Sequence, residues 1–341
     1  MFTNFVDTYL VAGDVQDAAK AAVQALAIDR KLAARDPGND QAQRDVSVDL
    51  HKLGNVKLQG GDRAGALAAY QECLEIDRKR AAQDPGNAQA QRDVAVDLSR
   101  LGNVKVESDD LAGALAAYQE GLDIDRKLAA RDPTDARAQR DLSVSLYKIG
   151  NVKFESGDQA GALAAYQESL DIDRKLAAQD PGNAQLQRDV SVDLARLGNV
   201  KLESGDLAAA LAAYQESLDI DRKLAAQDPS NAQTQRDLSV SLNKIGDVKL
   251  KSGDLAAALA VYQDSLHIRR KLAAQDPGNA QAQTDLIVSL FKVSKAADPA
   301  QVRAALTEAV SILEKLDQER GLTAAQKDWL NAVRTALSKL P

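Results

Sequence analysis

A stretch of 48 residues recurs along the chain with so few changes that its copies can be aligned as columns. The turn prolines Pro37, Pro85, Pro133, Pro181, Pro229 and Pro277 mark the period, and one copy reads RDVSVDLARLGNVKLESGDLAAALAAYQESLDIDRKLAAQDPSNAQTQ from Arg188 to Gln235. A period of this length marks a solenoid, in which each unit buries its apolar face only by stacking on its neighbours. Length alone would suggest two or three domains; the repeat predicts one elongated array over all 341 residues. Aromatic residues make up only 4% of the chain, and alanine, leucine, glutamine, aspartate and arginine dominate it. That composition favours helices and offers few strand formers.

One unit shows how the helices are delimited. Asp180-Pro181-Gly182-Asn183 reads as a turn, with Asn183 placed to accept an orphan backbone N–H. Helix A is predicted from about Ala184 to Glu203, with Val190, Leu194 and Leu197 as its buried stripe. Ser204-Gly205-Asp206 breaks it, Gly205 suiting a left-handed position and Asp206 capping the next helix. Helix B is predicted from about Leu207 to Gln227, with Leu211, Tyr214 and Leu218 as its stripe, and Asp228-Pro229 stops it. The short link makes the pair an antiparallel hairpin. Gly198 and Ala210 lack bulk where its helices come close.

Leu194-x-x-Leu197-Gly198 followed by Ala210-x-x-x-Tyr214 resembles the tetratricopeptide repeat pattern. The match recurs as Leu53-Gly54 with Ala66 and Tyr70, Leu101-Gly102 with Ala114 and Tyr118, Ile149-Gly150 with Ala162 and Tyr166, and Ile245-Gly246 with Ala258 and Tyr262. Leucine replaces the family's tryptophan, and Lys57, Lys105, Lys153, Lys201 and Lys249 stand where it has tyrosine. The unit is also about 14 residues longer than the usual 34, or about two extra turns on each helix. The resemblance implies an all-α, right-handed superhelical solenoid of antiparallel helix hairpins, closed by a C-terminal capping helix.

The layout expected is a truncated half-repeat over 1–38, five full repeats over 39–278, a degenerate sixth over 279–320 and a capping helix over 321–341. Phe2 and Phe5 correspond to Leu194 and Leu197, so the chain opens inside a shortened helix A. Arrays normally end in a polar cap, so the expectation is that a segment upstream has been removed. In the sixth unit Ser294 replaces the glycine and Ala309 the tyrosine; Thr323 then caps a last helix carrying Trp329, Val333 and Leu337.

Little in the chain suggests chemistry. His51 and His267 share no motif, and no phosphate loop or nucleophile elbow appears. Neither a metal site nor a cofactor is expected. Cys73, the one cysteine, is read as a packing residue, because its counterparts Gly121, Ser169, Ser217 and Ser265 are small. Asp171 and Asp173, with their repeat mates, are assigned to charged helix faces. The expectation is a non-enzyme. A net charge of −7 argues against nucleic acid, the apolar runs are too short to span a bilayer, and no secretory leader is evident, so the expected location is cytoplasmic.

In the family the A helices line a concave groove that binds peptides, which here implies three groove columns. Asn55, Asn103, Asn151, Asn199 and Asp247 form one; Lys52, Arg100, Lys148, Arg196, Lys244 and Lys292 form a basic one; Val48, Val96, Val144, Val192, Val240 and Val288 form an apolar one. Such donors suit an extended backbone or a carboxylate. A fourth column holds six residue types in six copies, His51, Ser99, Tyr147, Ala195, Asn243 and Phe291, and is read equally as a specificity column or as drift. Units also alternate, Asp97 and Asp193 against Ser145 and Ser241, which would alternate the charge of the inner wall. His267 and Arg269 replace two acidic residues of earlier units, a change expected to serve a local contact with the sixth unit.

The function expected is a non-catalytic scaffold that binds a protein or extended peptide in that groove. The alternatives are a self-assembly module working through the open N-terminal end, or the partner-sensing region of a larger effector.

Overall fold

The computed structural model describes residues 2–11 and 13–340, with the side chains of residues 2–5, 11 and 320 outside that description; Phe2 and Phe5 therefore lie beyond it. Fifteen helices and no strand occur among the described residues. The A helices are α1 (Phe2–Val11), α3 (Asp40–Gln59), α5 (Ala88–Glu107), α7 (Ala136–Glu155), α9 (Ala184–Glu203), α11 (Ala232–Lys251) and α13 (Ala280–Ser294). The B helices are α2 (Val15–Arg35), α4 (Arg63–Gln83), α6 (Leu111–Arg131), α8 (Gln159–Gln179), α10 (Leu207–Gln227), α12 (Leu255–Gln275) and α14 (Pro299–Arg320), and α15 (Ala324–Lys339) follows. The chain divides into two compact units, residues 1–172 and 173–341.

The helix ends lie where the capping residues put them. Asn183 Oδ1 accepts from the amides of Gln185 and Leu186, and Asp206 from that of Ala209 at 3.0 Å. Gly205 takes φ +83°, a conformation that penalises any Cβ. Thr323 and Gln326 close α15 with a reciprocal capping box.

In the five full hairpins a glycine of the A helix lies directly against a tyrosine of the B helix. A Cβ built on Gly54, Gly102, Gly150, Gly198 or Gly246 would fall between 2.3 and 2.5 Å from Cε1 of Tyr70, Tyr118, Tyr166, Tyr214 or Tyr262 respectively. These tyrosines are buried, and each hydroxyl donates to the side chain at the foot of its own A helix: Tyr118 to Asn103 at 2.7 Å, Tyr214 to Asn199 at 2.8 Å, Tyr262 to Asp247 at 2.7 Å. Around them aliphatic stripes form one core per hairpin pair, such as Leu122, Leu128, Leu142, Leu146 and Ile149 in the first unit. The second unit ends in a larger core joining Leu286, Ile287, Leu290, Leu313 and Leu330.

Charged columns join neighbouring repeats at fixed offsets. On the B helices Arg126 reaches Glu168 at 2.9 Å and Arg174 reaches Glu216 at 2.6 Å, with Arg30–Glu72 and Arg78–Glu120 in the same register. On the A helices Arg44, Arg92, Arg188 and Arg236 reach Asp93, Asp141, Asp237 and Asp285. The B-helix pairs are about half exposed and each contributes under about 1 kcal/mol; their value is that all favour one register.

Two expectations are corrected here. Asp173 does not lie on a solvated face: with Asp77, Asp125 and Asp221 it is buried at 3% exposure or less. Those positions fall three residues after a core leucine, on the buried stripe itself, as Leu218 and Asp221 show. In the alternating column Asp97, Asp193 and Ser241 are buried and Ser145 is half-buried, so it does not alternate the charge of an exposed wall. Its serines satisfy the buried aspartates, Ser145 donating to Asp125 Oδ2 at 2.6 Å and Ser241 to Asp221 Oδ2 at 2.5 Å. At the last junction Arg269 replaces the buried aspartate and pairs with Asp285 on α13, the local contact with the sixth unit that its change of charge implied.

Candidate functional site

The A helices carry all four columns, and in the first unit these converge on one cleft. It lies between α5 and α7 with a volume of about 330 Å³, and its lining includes Val96, Ser99, Arg100, Asn103, Val144 and Lys148. Val96 is 38% exposed and Val144 41%; Val240 in the second unit is 38% exposed, whereas Val48, Val192 and Val288 are half-buried. Among the described residues few large apolar side chains are so open, and three of them stand in this one column.

The polar columns also have structural employment. Asn55 Oδ1 accepts both from the Tyr70 hydroxyl at 2.7 Å and from Arg100 Nη1, one repeat on, at 2.8 Å. Asn199 takes Tyr214 and Lys244 in the same way, the lysine at 2.9 Å, and Lys292 Nζ lies 2.6 and 2.8 Å from the two Asp247 oxygens. Asn103 and Asn151 accept from Tyr118 and Tyr166. Arg100, Lys244 and Lys292 thus each staple their A helix to the Asn or Asp of the A helix before it. Lys148 departs from this: it donates to Ser99 and sits 5.7 Å from the Tyr118 ring centroid. Burial pushes its ammonium down to about 8, aided by the charge of Arg100 and opposed by Asp125. Lys244 is likewise lowered by burial. Lys52 donates to Asp7 at 2.6 Å, and Arg196 is half-buried and engaged.

The variable column lies half-buried at the junctions between helices. Tyr147 packs on Tyr166 with ring centroids 6.2 Å apart, and Phe291 meets Trp329 edge-on at 6.0 Å. Asn243 keeps a buried Oδ1 without a partner, and Ala195 is simply small. Trp329 of α15 packs against the C-terminal core.

His51 has a neighbourhood that no local motif announces. Its Nε2 contacts the buried Asp97 carboxylate, and Cys73 Sγ lies 3.3 Å from the same carboxylate oxygen. The thiol is fully buried, 3.0 Å from Ser47 Oγ, and burial pushes it far above the ordinary range. Their separations of 22 and 24 residues spread the three groups over α3, α4 and α5. The one signal available was Cys73, the odd member of a column otherwise made of glycine and serine.

The tetratricopeptide repeat profile matches residues 50–80, 144–176 and 194–224. Among solved structures, BtubC from P. vanneervenii is similar over 76% of this chain and 92% of its own, with a TM-score of 0.59 at 17% identity. RapI in its apo form is similar over 99% of this chain and 85% of its own, with a TM-score of 0.62 at 12% identity. The STAND protein PH0952 from Pyrococcus horikoshii, described as having a tetratricopeptide repeat sensor, matches 98% of this chain but only 48% of its own, with a TM-score of 0.54 at 14% identity. Among curated proteins none matches. No helix of the described residues is long and apolar enough to cross a membrane. With profile matches in three separate copies, and hairpins that repeat every 48 residues, the chain is a tetratricopeptide repeat protein built on a lengthened unit.

Proposed function

We propose that the chain is a non-catalytic interaction scaffold that holds an extended peptide segment along its A-helix face. The observation that carries this is the cleft between α5 and α7, where Val96 and Val144 stay open to solvent beside Arg100 and Lys148. Stacking buries most of the other apolar stripes, while Val96, Val144 and Val240 of this one stay exposed. Four cations and two carboxylates line the cleft, so it favours a segment with an acidic residue next to an apolar one. The polar groups already bonded between repeats need not be released, because an Arg or Lys head can share its remaining N–H donors with a carboxylate.

The test is affinity capture from native lysate with the intact chain and with Val96→Glu/Val144→Glu. Both sites are solvent-facing, so helicity should be unchanged while partner capture is lost; equal capture by both chains rejects the groove. A second reading, self-association, is favoured by α2, where Ile28 and Leu32 are 44% and 49% exposed. The counterparts Leu128, Leu176 and Leu224 of Leu32 are buried, and the counterparts Ile124, Ile172 and Ile220 of Ile28 are half-buried. Sedimentation should then show concentration-dependent association that Ile28→Asp/Leu32→Asp removes, and a monomer at every concentration disposes of it. The sensor reading draws on PH0952, whose repeats are described as a sensor within a longer chain; sequencing the gene on both sides of this segment decides it.

A further inference from the structure

We propose that His51, Cys73 and Asp97 form a site for one divalent transition-metal ion of the zinc class, joining the first full repeat to the second. Each residue offers one ligand atom from a different helix, and the three atoms lie within 4.8 Å of one another. Tetrahedral zinc, with Zn–N about 2.0–2.1 Å and Zn–S about 2.3 Å, needs its ligand atoms roughly 3.3–3.8 Å apart. Cys73 Sγ and Asp97 Oδ1 already stand at 3.3 Å, and the imidazole needs only to back away from the carboxylate it touches.

The charge arrangement asks for a cation. Asp97 is fully buried; one oxygen meets both His51 and Cys73, and the other is buried with no partner. The nearby Asp77 is satisfied by Ser47 at 2.5 Å and by Arg80 at 2.7 Å, and Arg80 is further engaged by Asp40 and Asp93. A half-satisfied carboxylate sealed from water is unfavourable, and a bound dication removes that deficit. Imidazole nitrogen, thiolate sulfur and carboxylate oxygen together select zinc or its first-row neighbours; calcium and magnesium want oxygen alone. Binding releases the thiol proton to solvent as the S–metal bond forms. The His51 side chain is 15% exposed where Asp97 is sealed, so its edge is the route for the ion and for a fourth, water ligand.

Comparison of the copies makes the site specific to one junction. The same three columns read Ser99, Gly121 and Ser145 one repeat on, then Tyr147, Ser169 and Asp193, then Ala195, Ser217 and Ser241, and finally Asn243, Ser265 and Ser289. Where the second unit holds Ser217 and Ser241 they simply hydrogen-bond at 3.3 Å. Stacking therefore does not require metal-binding side chains here. The first junction alone has them at all three places.

The same comparison supplies variants that the fold tolerates. Cys73→Ser, Asp97→Ser and His51→Ala each install a residue that another repeat carries at that column. The full-length chain, freed of metal with a chelator under reducing conditions, is titrated with Co²⁺ and then with Zn²⁺. One Co²⁺ per chain should bind with a thiolate-to-cobalt charge-transfer band, which Zn²⁺ displaces and Cys73→Ser abolishes. His51→Ala and Asp97→Ser should weaken binding by more than about 100-fold, since loss of even an outer-shell partner costs about 10–100-fold. Absence of the band in the unaltered chain, its survival in Cys73→Ser, or equal uptake by all four chains overturns the site.

Discussion

Replacing Gly198 by alanine should destabilise the protein, against the preference of an isolated helix. In a helix interior the change is worth about 0.8–1.0 kcal/mol in alanine's favour. Here the new Cβ would lie 2.5, 2.7 and 2.9 Å from Cε1, Cδ1 and Cζ of Tyr214. Comfortable carbon contacts are about 3.5–4.0 Å, so the ring must retreat by about 1 Å. It has nowhere to go, being fully buried with its hydroxyl 2.8 Å from Asn199. Overpacking of this kind costs about 1–3 kcal/mol, and loss of the hydrogen bond adds about 0.5–1.5. The net expectation is a loss of about 1–3 kcal/mol. Repeat arrays need not unfold in one step, so amide exchange across α9 and α10 should be followed beside urea denaturation. The decisive comparison is the same change made in Tyr214→Ala, where the obstacle is gone and alanine should become stabilising. The ends of the array already show this exchange: Val6 faces Ala22 in the first hairpin's core, and Ser294 goes with the fully buried Ala309 in the sixth unit. Stabilisation by Gly198→Ala alone, or an equal effect in both backgrounds, refutes the account.

Two further predictions concern the groove cations and the buried carboxylates. The fall of Lys148 from 10.5 to about 8, at about 1.36 kcal/mol per pH unit, corresponds to a cost of order 3 kcal/mol for its buried charge at neutral pH, regained as pH rises from about 8 to 10.5. Lys148→Met, which also gives up the Ser99 bond and the contact with the Tyr118 ring, should raise stability by about 1 kcal/mol in urea while weakening peptide capture; a lower urea midpoint contradicts this. Asp125 is pushed up to about 6, mainly by burial, so its neutral form is favoured by the fold. The stability it contributes is complete below about pH 4 and is lost as pH rises through about 6, an order of 3 kcal/mol. Asp125→Asn should match the unaltered chain at pH 4.5 and exceed it at pH 7.5, because Ser145 can still donate to the amide oxygen; parallel urea midpoints at both pH values count against it.

The helices were legible because their punctuation is local. Asn183, Gly205 and Asp206 act within three residues of themselves, and α9 and α10 begin and end where those residues direct. The buried aspartates were missed although the information was present, because charge was allowed to outweigh position: Asp221 follows Leu218 on the same stripe and is 3% exposed. The partners of the polar columns could not be read at all. Arg100 meets Asn55 across 45 residues and Arg92 meets Asp141 across 49, offsets set by how far one repeat slides on the next. That slide follows from packing among Tyr, Gly and Leu, and no pattern within a unit encodes it. His51, Cys73 and Asp97 were dispersed for the same reason.

These offsets change what the groove can be. Columns that suggested free donors are instead used twice, once to lock neighbouring repeats and once, under the proposed function, to meet a ligand. A ligand that displaced Arg100 from Asn55 or Lys244 from Asn199 would loosen the stack that positions it. One that adds a carboxylate beside those cations would tighten it, because an array gains stability from each interface that is reinforced. An acidic segment lying on the valine line is of the second kind, and its binding should slow amide exchange in the A helices it touches. The six-way variable column is half-buried at the junctions. Its members set the packing of individual junctions, His51 against Asp97, Ser99 with Lys148 and Phe291 on Trp329, so each junction can differ in stiffness while presenting nearly the same surface above. Discrimination between partners would then come from how far each junction yields as much as from which side chain it shows.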